Sequence, residues 1–252
     1  MNISVERAPF FAEAVKVRTK EGKLTREQVL LRIGAVCAVL GAVVSVAAGI
    51  GFGNLTNDSV IEAVLSDLSA RPRWYWPAVH MGFMLGAVLW VGAFTSLAAS
   101  LDRSESWALG KLGVVSIVLG AALHITDSSI NGFGLAALAE AWAEAPSPDR
   151  QSIVSIGDTL LRILNGTGSS VVGLFHGLPF VLMGLAVARS RSYPDWLGWA
   201  GVIGGVGSFV VGVLMFLNAD FIPAWLFIIL ALVVSVWMVA IGGLMWRRAA
   251  AI

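Results

Sequence analysis

The chain has 252 residues, 57% of them hydrophobic and only 13% charged, with a mean hydropathy of +0.82. Soluble domains carry roughly a quarter charged residues, so this balance excludes one and defines an integral membrane protein. A formal net charge of +1 gives no case for nucleic acid as a partner, which needs clustered Lys and Arg on one face, and the single Cys37 excludes an intrachain disulfide.

Residues 1–28 mix both signs of charge and lack the short apolar core and small-residue cleavage site of a secretion signal, so they read as a cytoplasmic N-terminal segment. Six apolar runs follow: Val29–Phe52, Trp76–Leu101, Trp107–Phe133, Gly166–Ala188, Trp196–Leu217 and Ile222–Trp246. Each approaches or exceeds the ~20 residues a helix needs to cross a bilayer. The pattern predicts an all-α fold: one polytopic six-transmembrane-helix domain over 29–248, then a short tail, 249–252. Of the 17 Lys and Arg, only Arg71, Arg73, Arg150 and Arg162 fall on one side, so the positive-inside rule places both termini in the cytoplasm.

Both long outer loops predict short amphipathic helices. In the first, Asn57-Asp58-Ser59 offers a cap, Val60, Ala63, Val64 and Leu68 an apolar face, and Arg71-Pro72 a stop. In the second, Ser147 offers an N-cap with Pro148 at the first helical position, starting a helix that runs into the fourth span. Asp158 and Arg162 are spaced for an i, i+4 ion pair at its start.

The odd spans repeat a glycine string: Gly34 leading to Gly41, Gly113 to Gly120, and Gly201 to Ser208. A small residue recurring seven positions on suits close helix packing, and the repeat predicts three tandem helical hairpins.

Polar residues inside the apolar runs carry the functional reading. Ser116, His124, Asp127, Ser128 and Asn131 share one face of the third span; Asp158, Arg162, Asn165, Ser169 and His176 share one face of the fourth. Ionisable groups in hydrocarbon are costly unless paired or wet, so a chain that keeps them there uses them. The two stripes run toward each other from antiparallel helices. With His80 at the start of the second span, the three histidines fall within roughly 12 Å of depth at 1.5 Å per residue.

Three kinds of chemistry suit this set. A pocket lined by His124, Asp127, Asn131, Asn165, Ser169 and His176 would bind or transport a small or lipophilic ligand, helped by a loosened Asn165–Ser169 segment and by Pro179. Alternatively, His80, His124 and His176 would hold zinc with an open fourth position, or two of them one haem b in a space left by Gly113, Gly120 and Gly173. A third reading is an accessory subunit of a membrane complex, or a homo-oligomer, docked through small-residue faces.

The stretch Phe175-His176-Gly177-Leu178-Pro179-Phe180, followed by Arg189 to Trp199, resembles a group of uncharacterised bacterial six-helix membrane proteins. That resemblance implies a bacterial inner-membrane location and assigns no activity.

Overall fold

The computed structural model describes residues 24–53, 60–102, 105–217 and 224–252, all helical or in short turns. The helices are α1 (Arg26–Phe52), α2 (Ile61–Ser69), α3 (Tyr75–Ala99), α4 (Glu105–Ser129), a π-helical segment (Ile130–Leu135), α5 (Ala136–Glu144), α6 (Ser147–Leu174), α7 (Leu178–Ala188), α8 (Asp195–Phe216) and α9 (Ala224–Ala251).

Local chemistry sets several of these boundaries. A capping box starts α1: Thr25 Oγ1 accepts from the Gln28 amide at 3.2 Å, and the Thr25 amide donates to Gln28 Oε1 at 2.8 Å. At the start of α6 it is Pro146 that takes the cap position and Ser147 the first helical one, so the cap falls one residue before the expected Ser147. The expected cap Asn57–Ser59 lies outside the described residues; α2 starts after Val60 and ends before Arg71-Pro72.

Six helical stretches are long and apolar enough to cross a membrane, so the chain is a multi-pass membrane protein. Two of them outrun the bilayer. Glu105–Glu144 and Ser147–Ala188 span 40 and 42 residues, with one turn of irregularity in each. At 1.5 Å per residue each is about 60 Å long, twice the ~30 Å of hydrocarbon. The helix of the third span therefore continues past Phe133, and that of the fourth begins before Gly166, at the Ser147 turn the sequence predicts; together they form a projecting hairpin.

Within the bundle α1 lies against α3 and α9, α3 against α4, α4 against α6 and α7, α7 against α8, and α8 against α9, closing a ring in chain order. The repeated glycines face the next span in each case: Gly41 lies under Trp90, Gly113 against Met183 and Gly201 against Trp237. This close approach is what the tandem hairpins need, although α9 packs more heavily on α1 than on α8. At the terminal end the core is aromatic and sulfur-rich, with Trp90, Phe94, Phe180, Met183 and Trp237 buried together. At the distal end, α2 roofs the hairpin through Ile61, Leu65 and Leu68 against Leu135, Ala139 and Val154. Trp74, Trp107, Trp196, Trp225 and Trp246 are exposed near helix ends, as interfacial tryptophans are.

Candidate functional site

Both helices of the projecting hairpin lose regular α geometry beside the histidines. After Ser129 the chain widens into the π segment, a feature that recurs at functional sites because it frees a carbonyl and re-aims side chains. Asn131 sits in that segment, and its backbone oxygen accepts from Trp76 Nε1 at 3.0 Å. Gly132 lies directly under the His80 side chain, whose Cγ would be 2.7 Å from any Cβ placed there.

The second helix breaks at Phe175–Gly177. The Phe175 and His176 amides both bond the Val171 carbonyl, at 2.9 and 3.3 Å, the second bond spanning five residues rather than four. Pro179, which has no N–H to give, then sits in the first turn of α7, where none is needed. His176 therefore stands inside the interruption. The Asn165–Ser169 segment, expected to be the loosened part, is regular helix within α6.

Across this seam the two polar stripes meet. The rings of His124 and His176 lie 6.0 Å apart, edge to face. Phe175 stacks on His124 at 4.9 Å; Trp90 and Phe227 flank His176 at 5.8 and 5.6 Å. Nearer the distal end, Thr167 of α6 donates its hydroxyl to Asp127 Oδ1 of α4. Thr167 was not singled out by its type, since threonine in an apolar helix looks like packing; its place on the Asn165–Ser169 turn was the available signal.

Two polar atoms of this region are buried without a hydrogen-bond partner: His124 Nδ1 and Asn131 Oδ1. His176 as a whole is 8% exposed. Trp90 Nε1, on the ring beside His176, is likewise without a partner. A buried group left unsatisfied costs about 1–3 kcal/mol, and such groups in a native fold call for an explanation.

The other expected site residues go elsewhere. Asn165 is exposed, and Ser169, though buried, donates to the Asn165 carbonyl at 2.6 Å within its own helix. Asp158 and Arg162 are both exposed, and no ion pair joins them. His80 is 2% exposed and bonds the Trp76 carbonyl through Nδ1 at 3.0 Å.

Zinc does not fit these residues. Its ligand nitrogens must lie about 2.0–2.1 Å from one ion. Phe83 stands between His80 and His124, its ring 5.9 and 5.7 Å from theirs, and among the described residues no group of three or more His, Cys, Asp or Glu side chains converges. A haem does not fit the glycines either. The space beside Gly113 is taken by Met183 and that beside Gly120 by the backbone of Leu174 and Phe175, while Gly173 faces α8 at Phe209 and Gly212. These glycines bring helices together instead of opening a slot.

An all-α ring of six membrane-crossing helices with a buried histidine pair is thus the class of protein at hand. Residues 78–245, two thirds of the chain and including all three histidines, match the model of the family described as domain of unknown function DUF4386, and the chain belongs to that family. No curated protein and no solved structure matches the chain.

Proposed function

We propose that the chain binds a small or lipophilic ligand, or carries it across the membrane, at the seam where His124 of the third span faces His176 in the break of the fourth, with Asn131 two turns further along the third. The observation that carries this reading is His124 Nδ1, buried without a partner on a ring 6.0 Å from that of His176, with Asn131 Oδ1 likewise unpartnered further along the same helix. A bound molecule with a donor or acceptor of its own would satisfy them. Asp127, held by Thr167, borders the same seam and supplies a carboxylate. Interrupted helices at mid-membrane are the usual place for such sites, because the free backbone groups face a cavity and not lipid.

In this reading the chain sits in a bacterial inner membrane with both termini cytoplasmic, and the site opens toward the opposite face. The test is to purify the wild type and the variants His124→Ala and His176→Ala, denature each in organic solvent, and compare the small molecules released by mass spectrometry. A compound present in near-stoichiometric amount in the wild type and lost from both variants is the expected result. A wild type that releases nothing the variants lack would overturn the proposal.

A further inference from the structure

A cavity of about 360 Å³ lies at the end of the bundle where α1 begins and α9 ends, far along the helices from the histidine seam. Its walls come from four places: Arg26 and Glu27 in the first turn of α1, Ser100 and Asp102 after α3, Ser192 in the turn between α7 and α8, and Arg248 near the end of α9. All are at helix ends, the depth at which the head groups of one leaflet lie. The volume is within the ~300–1,000 Å³ range of small-molecule sites.

Among the described residues its lining carries two guanidinium groups and two carboxylates, incompletely paired, and the Arg191 guanidinium acts on Asp102 from nearby. Arg248 Nη2 is 3.7 Å from Glu27 Oε1, a long ion pair, and its guanidinium carbon lies 5.7 Å over the Tyr193 ring. Asp102 accepts from Ser190 Oγ at 3.0 Å and Ser106 Oγ at 3.2 Å. A hydrogen bond from its own backbone, reinforced by Ser190, holds its carboxyl below the usual range, so it is ionised at neutral pH. A plain anion would meet two carboxylates here and a plain cation two guanidinium groups; a zwitterion meets both. A quaternary ammonium is recognised by an aromatic cage, and among the described residues no aromatic side chain lines this cavity, whereas a primary ammonium needs only an oxygen acceptor.

We propose that this cavity binds a phosphoethanolamine group, its phosphate on Arg26 and Arg248 and its ammonium toward Asp102, carried by a phospholipid of that leaflet or free in solution. Guanidinium groups suit the phosphate because they present paired donors to its oxygens.

The test uses the full chain, delipidated and then exposed to vesicles of equal parts phosphatidylethanolamine and phosphatidylglycerol, with retained lipid read by native mass spectrometry. One phosphatidylethanolamine per chain, at least fivefold over phosphatidylglycerol, is expected. Arg248→Gln and Arg26→Gln each reduce retention at least tenfold. Arg248 also braces α9 on α1, whereas Arg26 is exposed, so Arg26→Gln separates loss of the site from loss of the fold. Asp102→Asn abolishes the preference between the two lipids while a lipid is still retained. Free O-phosphoethanolamine at millimolar concentration leaves the lipid in place if the head group is the source and displaces it if the soluble compound is. A wild type without preference, or Arg26→Gln at wild-type retention, would overturn the proposal; a preference that survives Asp102→Asn would overturn the role of the ammonium.

Discussion

The same substitution, glycine to alanine, should have opposite signs at two points of the projecting hairpin. A Cβ at Gly120 would lie 2.5 Å from the Leu174 oxygen, 2.8 Å from Phe175 Cα and 3.0 Å from the Leu174 carbonyl carbon. All three are backbone atoms, so no side chain can swing aside and α4 must move off α6. Overpacking of this kind costs about 1–3 kcal/mol, and alanine's better helix propensity returns at most about 1 kcal/mol. Gly120→Ala is therefore expected to destabilise by about 1–2 kcal/mol. At Gly166 nothing lies within 4 Å of the added Cβ, so only the propensity remains, and Gly166→Ala should stabilise by about 0.5–1 kcal/mol. In a chain of this length 1 kcal/mol moves the midpoint by about 2–4 °C. Thermal unfolding in one detergent should thus show Gly120→Ala several degrees below the wild type and Gly166→Ala slightly above it. Gly120→Ala melting at or above the wild-type temperature would refute the close approach of α4 to the break.

Other perturbations test the remaining contacts. Trp76→Phe removes the donor to the Asn131 carbonyl and should cost about 1–3 kcal/mol, with faster amide exchange confined at first to 130–135. Thr167→Val deletes the bond to Asp127 and should cost about 0.6–2 kcal/mol, while Thr167→Ser retains most of the wild-type melting temperature. Asp102 is held below its ordinary range in the folded chain, so its contribution is complete above about pH 4 and is lost as pH falls through its lowered folded-state value; Ser190→Ala should bring that acid loss to higher pH in a pH-dependent melt.

The transmembrane spans were legible because hydrocarbon imposes length and composition together, and the histidine pair because helical spacing put both stripes on facing sides. The early start of the fourth helix was legible in Ser147-Pro148, but the continuation of the third past Phe133 was not: there it packs under α2 through Leu135 and Ala139, and a half-polar helix packed on its neighbours lacks the uniform apolarity that marks a span. The π segment turns on one extra residue in a ladder, which no periodicity records. The glycines of 165–169 pointed to the wrong place for the break, since glycine with no neighbour pressing on it joins a helix at modest cost, whereas Pro179 fixed the restart that leaves His176 unwound. Asp158 and Arg162 had the spacing for a pair, but two exposed long side chains gain little from it. Gly113 and Gly120, read as room for a macrocycle, are filled by the facing helix.

Magic-angle-spinning NMR on protein in lipid with labelled histidine tests the facing pair most directly, because only three histidines are present and each is assigned by one His→Gln variant. Rings 6.0 Å apart predict an imidazole–imidazole correlation between His124 and His176 that disappears in either single variant. Absence of that correlation in the wild type would contradict the meeting of the third and fourth spans at a shared site.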